Sequence, residues 1–422
     1  MPRLFPRPRL RSTAALCTTL SAIAAISLAT GPSIAEPFSA APCALKRTDA
    51  HHSEGLDTWN TAYPRPTRAL DAVMVFLSFP DRAPATTPAE LAADHFPATS
   101  RFFQQASYGR FTLRAHPLEH WLRMPKPSTA YAIQRDWNAE RRAAYLRDAL
   151  AAADPSVDFS RYDLVYFVAD PDAPGVDSDA TKVVNLDEPL HADGTDIRRV
   201  VTVFEQHPPD RLVLAHETGH VFDLPDLYHR PVDGKGDWDT YVGDWDLMGS
   251  QFGLAPDLFG WHKWKLGWLA PRQVVCVRKA GPTRLTLEPL GAGPGVPVTG
   301  TSGAPAFGLG DGAKLAVVRT GPDSVLAFEA RGPLGNDRAA CRSGILVYRI
   351  SGDAQSGRGP VEVIDAHPRT EACWESSVYP PLADAPVALG ENFTVPGTGV
   401  RVQAEGRTPT GAWNVKITLP RV

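Results

Sequence analysis

Three patterns in the sequence predict an α/β (α+β) region with a twisted sheet, followed by an all-β sandwich. Up to residue 223, apolar runs of strand length alternate with segments of helical spacing, the order that packs helices against a sheet. Beyond about residue 270, short alternating runs are separated by Gly, Pro and Asp turns, and no convincing helix interrupts them. The 34 glycines and 40 prolines favour turns and ordered loops over a helical bundle.

The chain starts with a segment unlike the rest. Arg3, Arg7, Arg9 and Arg11 precede the apolar run "STAALCTTLSAIAAISLAT", and small residues lead to Ala35. A basic start, an apolar middle and a small-residue end are the layout of a secretory signal, residues 1–35. This run is too short and too rich in Ala and Thr to span a bilayer well, and no other stretch is apolar enough. The expectation is a secreted, extracellular chain with no stable membrane association after cleavage.

Losing that signal leaves 39 of the 43 basic groups against 47 acidic ones, since it carries four arginines and no acid. A mildly acidic chain without a clustered basic face argues against nucleic acid as a partner. Of five cysteines, Cys17 leaves with the signal and four remain. An even number in an oxidising compartment suggests two disulfides. Among the three pairings, Cys341–Cys373 and Cys43–Cys276 are favoured, the second tying an N-terminal arm to the end of the α/β region.

Residues 36–68 have little periodicity and read as an arm or short pro-segment. From 69 to 270 the elements alternate. "DAVMVFLSF" (71–79) is a strand stopped by Pro80-Asp81, residues 88–109 carry helical spacing, and 110–118 alternate like a strand. "NAERRAAYLRDALAAAD" (138–154) is the clearest helix, ended by Asp154-Pro155. Residues 162–170 and 198–205 are buried strands. Runs such as "AKLAVVRT", "SVLAFEAR", "GILVYRI" and "WNVKITL" then build the sandwich of 271–422, with 290–312 as a long Gly- and Pro-rich loop.

The chemistry concentrates in "LAHETGHVFDLPDLY" (214–228). Asp210 is a plausible N-cap for a helix running from about Arg211 to Phe222. On such a helix His216 and His220 lie one above the other, so their imidazoles can face one metal ion. Neutral imidazole suits zinc, and Glu217, rotated off the ligand line, suits the work of a general base. Zinc then needs a third protein ligand. Asp226 can supply it if the chain turns sharply after the helix; Asp223 is the competing assignment, and Glu288 a more distant one. Met248, in "GDWDLMGS" (243–250), fits a tight turn beneath the metal as well as ordinary core filling.

These segments, together with "PDLFGWHKWKLGWL" (256–269), "FPD" (79–81) and "SYGR" (107–110), resemble the immune inhibitor A-like family of secreted bacterial zinc metallopeptidases. The resemblance is specific over 210–270 and looser over 70–210. It implies a metzincin-like catalytic region, one catalytic zinc on His216, His220 and Asp226, Glu217 as base, and endopeptidase activity on proteins or peptides. Position 223 departs from it, carrying Asp where glycine is usual. Aspartate tolerates the left-handed conformation that such a turn needs better than most residues.

Other constellations are weaker. "DGKGDWD" (233–239), with Asp226, Asp244 and Asp246 nearby, is rich in oxygen donors and open to calcium, though EF-hand spacing is absent. Tyr228 and Tyr241 are candidate oxyanion donors. Ser107 and Ser250 lack a nucleophile context. The alternatives to a monomeric endopeptidase are a binding protein with a relic metal helix and a zinc hydrolase of cell-wall amides.

Overall fold

The computed structural model describes residues 41–421, apart from 211, 232–234, 295–297, 300–304 and 307. The expected signal, the first residues of the arm and parts of the 290–312 loop lie outside the described residues. Among the rest, no helix is long and apolar enough to cross a membrane. The fold is mixed α/β, with several sheets and few helices.

Strands β1 (Ala69–Ser78), β2 (Thr112–Arg123), β3 (Leu164–Ala169), β4 (Lys182–Ala192) and β5 (Thr195–Val203) form one sheet of order β2-β1-β3-β5-β4. Neighbours in it run parallel except β4, which pairs antiparallel with β5 at the edge. The apolar runs are continuous because both faces are covered. Leu70, Ala72, Met74 and Phe76 of β1 enter one core, while Val73, Val75 and Leu77 enter another. Helices α1 (Pro88–His95) and α2 (Ala98–Ala106) pack on the first face. After the single turn α3 (Ser128–Tyr131), α4 (Ala139–Ala153) lays Tyr145, Leu146 and Ala149 on the second.

Details depart from the sequence reading. The helical stretch 88–109 is broken at Phe96-Pro97, where the proline lacks the N–H that the next turn would use. Thr87 and Glu90 close a capping box at the start of α1, and Asn138 caps α4. Strand β4 escaped notice because its Asn, Asp, Glu and Pro residues break any alternation, as an edge strand with a register shift tolerates.

The second half holds α5 (Val213–Val221), α6 (Gly260–Lys265) and the remaining strands. These are β6 (Val274–Cys276), β7 (Gly281–Leu287), the short pair β8 (Val298–Thr299) and β9 (Pro305–Ala306), β10 (Leu315–Arg319), β11 (Ser324–Arg331), β12 (Gly344–Ser351), β13 (Val361–Val363), β14 (Asn392–Thr394), β15 (Arg401–Arg407) and β16 (Trp413–Leu419). Sheets β13-β12-β11-β10-β6 and β14-β15-β16-β7 face each other across a core that includes Phe328, Val347, Val402 and Trp413. The outer face of the five-stranded sheet carries Leu315, Val317, Ala327 and Tyr348 into the core shared with α2 and α5. One apolar core therefore joins the α/β region to the β region.

The arm is built into that junction. Cys43 and Leu45 are fully buried, and the disulfides are Cys43–Cys276 and Cys341–Cys373, the favoured pairs. Helix α6 fastens the arm: His262 Nε2 lies 2.9 Å from Glu54 Oε1, and Lys265 Nζ donates to the Ser53 carbonyl at 2.7 Å. Trp261 and Trp268 donate their indole N–H groups to the carbonyls of Glu54 and Pro66. His262 and Lys265 of "GWHKWKLGW" thus clasp the arm, while Lys263 pairs with Asp257.

Candidate metal centre

Helix α5 is buried along its whole length, because apolar residues flank the polar ones on every side. Its start differs from the expectation: Leu212, in a left-handed conformation (φ 60°), precedes it, and no side chain caps it. Asp210 instead donates its own N–H to Glu205.

His216 and His220 bring their Nε2 atoms to 3.2 Å from one another. Both Nδ1–H groups are committed elsewhere, His216 to the Leu247 carbonyl at 2.9 Å and His220 to the Leu224 carbonyl at 2.8 Å. Those bonds fix the tautomer that leaves each Nε2 lone pair free. Asp226 Oδ1 completes a triangle, 3.0 Å from His220 Nε2 and 3.5 Å from His216 Nε2. These three are a group of donor atoms able to converge on one ion. Donors at 2.0–2.1 Å from a tetrahedral centre stand roughly 3.4 Å apart, so the triangle fits zinc. Two lone pairs and a carboxylate oxygen facing inward repel unless a proton or a metal cation lies between them. Burial alone would lower the His220 pKa, yet Asp226 outweighs it and raises it to about 9. The imidazoles in turn hold Asp226 well below the ordinary carboxylate range against its burial.

Glu217 stands on the same helix with its carboxyl buried, which raises its pKa. Its Oε2 accepts the Val183 N–H of edge strand β4 at 2.6 Å. Beneath the histidines, Met248 fills the space at Gly219: a Cβ there would stand 2.5 Å from its sulfur. The turn holding Met248 is braced by Asp246, which accepts from Met248 N–H and Phe259 N–H.

The chain leaves α5 through Asp223, whose φ of 66° is the left-handed conformation expected there. Its carboxylate does not face the imidazole pair. It is fully buried, 2.8 Å from Arg47 Nη1 and 3.1 Å from His52 Nδ1, both on the arm. Lys265 Nζ binds the Asp223 carbonyl as well. Burial opposes ionisation of Asp223, but His52, Lys265 and Arg47 hold its pKa below normal. The structure therefore brings Asp226, and not Asp223, to the histidines. Glu288 is remote, accepting from Gly310 and Gly312 N–H beside Lys314.

A cleft of about 730 Å³ opens over Glu217, His220 and Asp226, with Tyr228, Trp238 and Phe252 among its walls. Tyr228 stacks 6.4 Å from the His216 ring, whereas Tyr241 packs on His229. Ser107 bonds local backbone, and Ser250 hydrogen-bonds the Asp239 side chain. Of the acids weighed for calcium, Asp244 accepts from Leu254 and Val378 N–H and from the Ser377 hydroxyl, and Asp246 braces the methionine turn. Asp233 lies outside the described residues. Sequence reasoning missed Val183, Arg47 and His52, all distant in the chain; the Arg and His of the arm were visible but had no assigned partner.

No family model and no curated protein matches the chain. Among solved structures, catalytically inactive OgpA from Akkermansia muciniphila, in complex with an O-glycopeptide (glycodrosocin) substrate, matches at 12% identity. The match covers 73% of this chain and 94% of that one, with a TM-score of 0.25, a likeness too small to bear on site or substrate.

Proposed function

We propose that the protein is a secreted zinc endopeptidase of the immune inhibitor A-like kind, with His216, His220 and Asp226 as zinc ligands and Glu217 as general base. The observation that carries this reading is the donor triangle, with edges of 3.0, 3.2 and 3.5 Å and both imidazole tautomers set for ligation. Its position at the cleft floor beside a buried carboxyl favours catalysis over a purely structural ion.

Zinc held there supplies Lewis-acid polarisation of a carbonyl and acidifies water. The protein's groups do the rest. Val183 N–H holds Glu217 Oε2, so Oε1 takes the proton of the attacking water and returns it to the leaving amine nitrogen. Burial and the Asp226 charge keep the Tyr228 phenol protonated, and its hydrogen bond goes to the Asp226 carboxylate; to serve a developing oxyanion from the cleft wall it would have to exchange that partner. The walls of the cleft restrict water around the scissile bond.

The test is hydrolysis of casein by purified protein, with metal content measured on the same sample. Chelation should abolish cleavage and zinc restore it. Glu217→Gln should keep its zinc and lose turnover by about 10²- to 10⁴-fold. Cleavage indifferent to chelator, or a zinc-loaded protein that leaves peptides intact, would sink the proposal; in the second case peptidoglycan fragments become the substrate to try.

A further inference from the structure

Asp226 is gripped by a segment more than a hundred residues away. The loop after β12 brings Ser356 to it, and the two residues exchange hydrogen bonds: Asp226 N–H donates to Ser356 Oγ at 2.8 Å, and the Ser356 hydroxyl donates to Asp226 Oδ2 at 3.1 Å. Gly357 N–H adds a third bond, to the Asp226 carbonyl at 2.9 Å. Oδ1 thereby faces the imidazole pair and Oδ2 accepts the Ser356 hydroxyl, while the Tyr228 phenol adds a further hydrogen bond to the same carboxylate. A carboxylate on a loop has two soft torsions, and without the hydroxyl its plane could rotate away from the imidazoles.

Resting on the zinc reading above, we propose that Ser356 is a positioning residue of the metal centre, holding Asp226 for single-oxygen ligation through Oδ1. The loop is itself anchored for that task. Thr48 donates its hydroxyl to the Gly352 carbonyl at 2.7 Å, and His51 N–H donates to Gln355 Oε1 at 3.3 Å, so the arm braces it from the far side. Gly357 has φ 71°, and its amide reaches Asp226 while its carbonyl accepts from Arg230 N–H at 3.2 Å. The β region on this account supplies part of the metal site rather than serving as an appendage.

Zinc dissociation constants, measured by competition with a chromophoric chelator, test the assignment. Wild type, Ser356→Ala and Ser356→Thr are compared, with the melting temperature of each chelated protein. Ser356→Ala should bind zinc about 10- to 100-fold more weakly, with unchanged melting, and Ser356→Thr should recover most of the affinity by restoring the hydroxyl. Equal affinity in Ser356→Ala would overturn the assignment. So would a loss of affinity matched by lower melting of the chelated protein, or one that threonine does not rescue. A wild-type protein that binds no zinc would fail at the earlier step and bring down the metal reading itself.

Discussion

The two sides of the donor triangle are built in opposite ways. His216 and His220 stand on one helix, with a separation of four positions setting their geometry and a buried helix setting their direction. Asp226 stands on a turn, and its place depends on Arg47, His52, Lys265 and Ser356, drawn from three distant parts of the chain. The imidazole side is a local property of the sequence; the carboxylate side is a property of the assembled fold. Damage to the helix should remove the site outright, whereas damage to the turn's supports should loosen it by degrees.

The largest expected effect is therefore His220→Ala. It removes one donor and leaves His216 and Asp226 too few to hold zinc against competing water, so stoichiometric metal and chelator-sensitive activity should both vanish. Elemental analysis checks this. If the variant keeps full zinc, the triangle is not the site, and the contrast between its two sides has no object.

Next comes the clamp on the turn. Asp223→Ala strands Arg47, His52 and Lys265 around a buried gap, a change that typically costs about 3–5 kcal/mol when one partner of a buried pair is lost. It also puts alanine at φ 66°. Asp223→Gly removes the same charge but accepts the left-handed backbone, so it should be about 1–2 kcal/mol less damaging than alanine. Denaturant melts of the two variants separate charge from backbone. Equal losses would mean that the backbone conformation contributes little, and that the aspartate is kept for its charge alone.

The disulfide to the arm is a smaller lever on the same turn. Cys43→Ser with Cys276→Ser frees the arm end that carries Arg47 and His52, at a typical stability loss of about 2–4 kcal/mol spread over the whole fold. Zinc affinity should fall with it, since the arm braces both Asp223 and the Ser356 loop. A destabilised variant with unchanged zinc affinity would show that the turn holds its shape without the arm.

The same contrast explains what was legible in the sequence. Period and spacing report contacts within a few residues, so the His216–Glu217–His220 helix, the strands β1 and β3, and helix α4 could be read from the chain alone. Asp226 could be proposed from the sharp turn after the helix and preferred to Asp223 through the family resemblance; what the chain did not reveal is that Arg47 and His52 engage Asp223. Nothing in "CALKRTDAHHSEG" (43–55) announces that it threads beside residue 223. Edge strand β4 was hidden for a related reason: its pairing with β5 is set by the neighbour, and its own alternation is interrupted by Asn185, Asp187, Glu188 and Pro189. The alternation read for the β region holds in β7 and β16 of the four-stranded sheet, but the five-stranded sheet is buried on both faces, so the burial of its strands is nearly continuous.

The smallest expected effect comes from a second Asp, Arg and His group, which isolates what burial adds. On the surface of β1 and β2, Asp71 accepts from Arg114 at 2.7–2.9 Å and lies 2.7 Å from His116 Nε2. The residue types match those at Asp223, but Arg114 and His116 are each about half exposed (55% and 45%), against 21% for Arg47 and 3% for His52. Hydrogen bonds from Arg114 and then His116 depress the Asp71 pKa from 3.8 to about 2. A depressed carboxylate stabilises the fold above its unfolded pKa, so this contribution is present above about pH 4 and lost as the pH falls towards 2. Solvent screening limits it: Asp71→Asn should cost less than about 1 kcal/mol at neutral pH, shrink further in high salt, and leave zinc affinity untouched. Urea melts of Asp71→Asn beside Asp223→Asn compare the two groups with the same chemical change. If the exposed substitution costs as much as the buried one, charge pairing rather than burial governs both, and the special dependence of the Asp226 turn on its distant partners is lost as an explanation.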